Sequence, residues 1–157
     1  MNGAHLHLIV SHLPVLGVAF AAVLLGTGLW RKNRTLQLTA FSLLALGGVA
    51  AAIAFLTGEG AEEAVERTLA AESFVEPHEE AALAGLIAAA VTGLAALWAL
   101  FSGRKGRSLP RAVAVLNLLL ALTTSGILAW VANLGGQIGH PEIRNGQMAG
   151  NGEEHEH

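Results

Sequence analysis

The chain has 157 residues, about one domain's worth, with 53% hydrophobic residues, 13% charged residues and a net charge of −3. A soluble domain carries roughly 25% charged residues, so a solvated globule with an ordinary surface is excluded, and so is a disordered chain. The absence of cysteine excludes disulfides, thiolate metal sites and covalently attached c-type haem.

Four long apolar stretches follow one another: Leu8 to Trp30, Leu36 to Thr57, Ala81 to Phe101 and Ala112 to Leu134. Each is about 20 residues or a little more, long enough at 1.5 Å per residue to cross a hydrocarbon layer of ~30 Å. Lipid offers backbone groups no water, so each stretch must be a helix. Short connections between adjacent spans predict an all-α fold, an integral-membrane antiparallel four-helix bundle over residues 1–144. Pro14 disfavours α conformation at Leu13, so the first helix is expected to begin there or to continue through it. The first span lacks a basic leader and an Ala-x-Ala-like site, which predicts a retained helix.

Basic residues set the direction. Arg31, Lys32 and Arg34 fill the first loop, and Arg104, Lys105, Arg107 and Arg111 fill the third. That is seven of the nine basic residues, and the positive-inside rule assigns these loops to the cytoplasm. All twelve acidic residues are Glu and lie on the other side, as do both termini. Trp30, Trp98 and Trp130 fall near span ends, as interfacial anchors should. The predicted setting is the bacterial cytoplasmic (inner) membrane, with termini on the periplasmic or exterior side.

Within the spans Gly26, Gly28, Gly47, Gly48 and the Ala81–Gly85–Ala89–Gly93 series allow backbones to approach. Small inward faces serve helix packing and equally leave room for a flat cofactor. The outer loop from Gly58 to Pro77 is acidic, and Ala61 to Ala71 is expected to form a short helix on the membrane surface. Pro77 suits the first turn of the third helix, and Gly135 with Gly136 suits the end of the fourth. The tail, residues 145–157, rich in Gly, Glu and His, is expected to be disordered.

All seven histidines fall on the outer side: His5, His7, His12, His78, His140, His155 and His157. His155 and His157 belong to the tail. His12 lies about 27 Å from Trp30 along a helix, and His78 about 30 Å from Trp98, so the two are expected at similar depth. His140 follows the glycine pair. Histidine is the commonest metal ligand, and its second nitrogen needs a carboxylate or carbonyl partner. Glu59, Glu62, Glu63 and Glu79 are candidate carboxylate ligands or such partners. Plainer roles stand beside these: Glu79 answers a helix dipole, Glu62 and Glu63 form a solvated face, and His5 and His7 are interfacial. His12, inside the first apolar run, is the hardest to read as surface.

The run His7-Leu-Ile-Val-Ser-His12-Leu-Pro14 resembles the His-x4-His-x-Pro opening of a bacterial family of predicted four-helix membrane proteins of unknown function. Leu56-Thr-Gly-Glu-Gly-Ala-Glu-Glu63, His78-Glu-Glu-Ala-Ala82 and Gly135-Gly-Gln-Ile-Gly-His140 continue the resemblance in family order over nearly the whole chain. Many members carry Pro after the first His, where this chain has Leu8. Some members are fused to Rieske iron–sulfur domains, and the resemblance therefore implies a link to electron transfer.

Three functions fit these residues. The first is a redox protein holding haem b near the periplasmic face, with His12 and His78 as the best-placed axial pair. The second is a non-haem Fe, Cu or Zn site drawn from His5, His7, His12, His78, His140 and the nearby Glu residues. The third is an accessory subunit without a metal. Besides the lipid bilayer, the acidic face suits a basic periplasmic electron carrier or a respiratory complex. No nucleophile elbow, phosphate loop or HExxH motif is present, so an enzyme acting on its own is not indicated. The basic loops are short and fit topology alone, which argues against nucleic acid.

Overall fold

A computed structural model describes residues 3–65, 72–103 and 110–139. They form four helices: α1 (Gly3–Trp30), α2 (Arg34–Val65), α3 (Glu72–Ser102) and α4 (Arg111–Gly139). All four are long and apolar enough to cross a membrane, over Ile9–Trp30, Arg34–Gly58, Val75–Ser102 and Arg111–Ile138. Each helix packs on its neighbour in the chain, and α4 closes the ring against α1, which makes a four-helix bundle. α1 and α3 are therefore diagonal partners across its axis.

The bundle is built small inside and large outside. Ala21, Ala40, Ala96, Ala99 and Ala121 are fully buried, and the larger buried side chains are few, Phe41, Leu25, Leu44 and Val18 among them. Leu16, Phe20, Leu46, Leu56, Leu94 and Leu119 are exposed around the outside. Water would reverse that order; hydrocarbon as solvent removes the penalty on exposed Leu and rewards close backbone packing. α2 and α3 approach backbone to backbone, where a Cβ on Gly48 would stand 3.1 Å from the Ala89 carbonyl oxygen and 3.5 Å from Gly93 Cα.

The α1–α2 turn shows why a short connection suffices. Lys32 takes the left-handed conformation at φ 51°. Lys32 N–H then donates to Leu29 O and Asn33 N–H to Gly28 O, the Schellman pattern that satisfies the last carbonyls of a helix. Asn33 Oδ1 accepts from Leu36 N–H at 3.1 Å and so caps α2, while Gln37 Nε2 donates to Gly28 O at 3.0 Å. Arg34 donates to the Gly103 carbonyl and ties the start of α2 to the end of α3.

One open choice is decided and three boundaries differ from the expectations. Of the two courses open to α1, it takes the one that runs through Pro14; Pro14 is buried in the bundle, where packing holds the kink-prone turn. α2 does not stop at Thr57 before a separate surface helix but continues unbroken to Val65, about 48 Å in all. α3 starts at Glu72, so Pro77 sits inside it rather than in its first turn. Gly135 and Gly136 do not end α4, which reaches Gly139. The C-terminal end of α2 and the N-terminal end of α3 thus project beyond the thickness the apolar count requires. Residues 66–71, which include part of the expected surface helix, and the tail 145–157 lie outside the described residues.

Candidate paired-histidine site

One end of the bundle gathers a residue from each helix. His7, on α1, is partly buried, and its Nδ1 donates to the Ala54 carbonyl of α2 at 3.0 Å. Thr57 Oγ1 lies 3.4 Å from the same nitrogen. Gly58 lies alongside, where an added Cβ would be 3.6 Å from His7 Cε1.

His78, on α3, is also partly buried and leans on α4. A Cβ on Gly135 would come within 3.0 Å of His78 Cε1 and 3.4 Å of its Nδ1, so only glycine lets the ring lie this close to the helix backbone. The His78 ring hydrogen-bonds with the Val131 backbone and feels the charge of His7 and of Glu79. Its Nδ1 is buried without a hydrogen-bond partner among the described residues. Gly135 is therefore a ring-packing position, kept within a helix that runs on through it.

The histidine whose charge His78 feels is His7, on the diagonal helix, and not His12. α1 continues through Pro14, so His7 and His12 lie about 140° apart around the helix. His7 faces inward, and His12 is exposed. Glu79 is exposed next to His78. Glu59, Glu62 and Glu63 lie on the helical extension of α2, and His5 in the first turn of α1. The side chains of these four, and the whole of His140, lie outside the described residues.

Among the described residues, no group of three or more His, Cys, Asp or Glu side chains is gathered closely enough to hold a metal ion. Two imidazoles are the complement that haem iron takes as axial ligands, since the porphyrin supplies the other donors. A bare ion needs more protein ligands than that. The two described imidazoles would suit a haem iron, while the further donors a bare ion would need, His5, Glu59, Glu62, Glu63 and His140, lie outside the described side chains. The unpartnered buried Nδ1 of His78 adds an imidazole atom with coordination capacity in hand.

A second polar group lies deeper, and its residues were not foreseen. Thr92 and Thr124, both 1% exposed, share a 2.8 Å hydrogen bond between α3 and α4, and Thr124 Oγ1 also donates to Ala88 O at 3.2 Å. Asn117, 1% exposed, donates from Nδ2 to Val113 O at 2.9 Å. Its Oδ1 has no partner among the described residues. The available signal was an amide standing in the apolar run from Ala112 to Leu122. Thr57 was missed in the same way, although it stands in the Leu56-Thr-Gly-Glu59 motif.

No protein-family model, curated protein or solved structure matches the chain.

Proposed function

We propose that this is a multi-pass protein of the bacterial cytoplasmic membrane, an antiparallel bundle with both termini outside. Its outer end holds one redox centre between His7 and His78, and it serves electron transfer. The observation that carries this reading is that two partly buried imidazoles on diagonal helices lie at one end of the bundle, the end richest in Glu, within electrostatic reach of each other. Haem b is the group best matched to two ligands; when bound it supplies one-electron transfer between ferric and ferrous iron. His7 and His78 would hold the group in this reading. The Ala54 carbonyl orients His7, and Gly135 lets His78 seat against α4. The packed small residues below, from Ala54 and Ala81 inward, close the site toward the membrane interior. The acidic outer end favours a basic periplasmic electron carrier, or the basic face of a respiratory complex.

Oxidised and reduced absorption spectra of detergent-purified protein, with metal analysis on the same sample, test the centre. A haem spectrum abolished by His7→Ala or His78→Ala and retained in His12→Ala is the expected result. Stoichiometric non-haem metal that falls in Glu59→Gln moves the assignment to a His/Glu site. Neither haem nor metal, from cells supplied with both, leaves an accessory subunit. Orientation is tested by labelling Ser73→Cys and Ser108→Cys in intact cells; outside reagent that reaches position 108 and not 73 reverses the topology.

A further inference from the structure

We infer that α2 dictates which atom of His7 serves as a ligand, and that Thr57 is a positioning residue for it; this rests on the two-histidine reading above. The carbonyl oxygen of Ala54 carries no hydrogen, so its 3.0 Å contact with Nδ1 is a hydrogen bond only when the proton sits on Nδ1. The Thr57 hydroxyl has one hydrogen, and that hydrogen points back into α2, toward Ile53 O and Ala54 O at 3.0 Å each. Toward His7, 3.4 Å away, Thr57 Oγ1 therefore presents a lone pair. Nδ1 thus faces two acceptors and no donor.

The opposite tautomer, with the proton on Nε2, would set a bare Nδ1 against two oxygen lone pairs. α2 excludes it. The neutral ring keeps Nδ1–H, and Nε2 carries the lone pair available to iron. This is the arrangement in which a second-shell carbonyl fixes both the tautomer and the swing of a ligating imidazole. The carbonyl is backbone and permanent. The Thr57 hydroxyl is the element a side-chain change can remove, and its back-bond to α2 holds it in place without help from the ligand. Outer-shell partners of this kind are worth about 10–100-fold in affinity for the group they serve.

The test uses the full chain in detergent without any metal. Nitrogen-15 spectra of histidine-labelled protein at mildly alkaline pH, where imidazole is neutral, report the proton's position; loss of a signal in His7→Gln assigns it. Wild-type protein is expected to show His7 as Nδ1–H. Thr57→Val is expected to populate the Nε2–H form and to weaken haemin binding about tenfold, with both effects reversed in Thr57→Ser. His7 found mainly as Nε2–H in the wild type overturns the inference. So does Thr57→Val that matches the wild type in both tautomer and haemin affinity. Wild-type protein with Nδ1–H that binds no haemin supports the tautomer assignment and removes the haem reading instead.

Discussion

Replacing Asn117 with Leu should stabilise the bundle, although Asn117 is among its most buried side chains. Its Oδ1 is a buried acceptor without a partner among the described residues, and leaving such a group unsatisfied costs about 1–3 kcal/mol. The substitution also removes the bond from Nδ2 to Val113 O, worth about 0.5–1.5 kcal/mol. Val113 O is not orphaned by that loss, because the Asn117 backbone N–H serves it within the helix. Leu repeats the branched heavy-atom skeleton of Asn with bulkier methyl ends, and it would stand one turn from the buried Ala114 and Ala121 on the same helix, adding apolar surface to the bundle interior. The balance is about 1 kcal/mol in favour of Leu, or a Tm rise of about 2–4 °C for a chain of this size. Thermal unfolding of wild type, Asn117→Leu and Asn117→Ala in one detergent measures it. Ala should lower the Tm, since it leaves a cavity. A fall with Leu as large as the fall with Ala would refute the reasoning and show that Oδ1 has a bonding partner in the membrane.

Gly48→Ala should destabilise by about 1–3 kcal/mol, because its Cβ meets backbone atoms of α3 at 3.1 Å, whereas Gly126→Ala, with nothing within 4 Å, should be neutral or slightly stabilising; thermal unfolding of the two variants in parallel checks the contrast. Gly135→Ala should weaken haemin binding at least about tenfold even though alanine is the better helix former by ~1 kcal/mol, since its Cβ displaces the His78 ring; titration by absorbance measures this. Electron exchange between the reduced protein and a small basic carrier should slow at least about tenfold from low to high salt, as expected for steering between opposite charges. A rate indifferent to salt, read by stopped flow, would remove the basic partner.

The spans were legible because length and apolarity are enough to mark a membrane helix, and the four stretches read from the sequence lie within the four helices observed. The helix ends were not. Pro14, Pro77 and the Gly135–Gly136 pair are stop signals in water, where a broken turn is readily solvated. In a bundle surrounded by lipid an unpaired backbone group costs more than a strained turn, so the helices run through all three.

The choice of His7 over His12 was also written in the chain, but in the small residues rather than in depth. Every face of these helices is apolar, so hydrophobicity does not mark the inward side; residue size does. Ala21 and Pro14 are buried at a seven-residue interval, and one more such step reaches His7. Along α2, Ala51 and Ala54 lead to Gly58. Along α3, Ala89, Gly85 and Ala81 lead back to His78. Along α4, Ala121 and Leu128 lead to Gly135 by the same seven-residue step. All four buried stripes therefore end at the two imidazoles and the two glycines that seat them. His12 instead continues the exposed series of Leu16, Phe20 and Val23. Depth along a helix locates a residue in the membrane, but azimuth decides what it touches. With the helix unbroken at Pro14, azimuth selects His7.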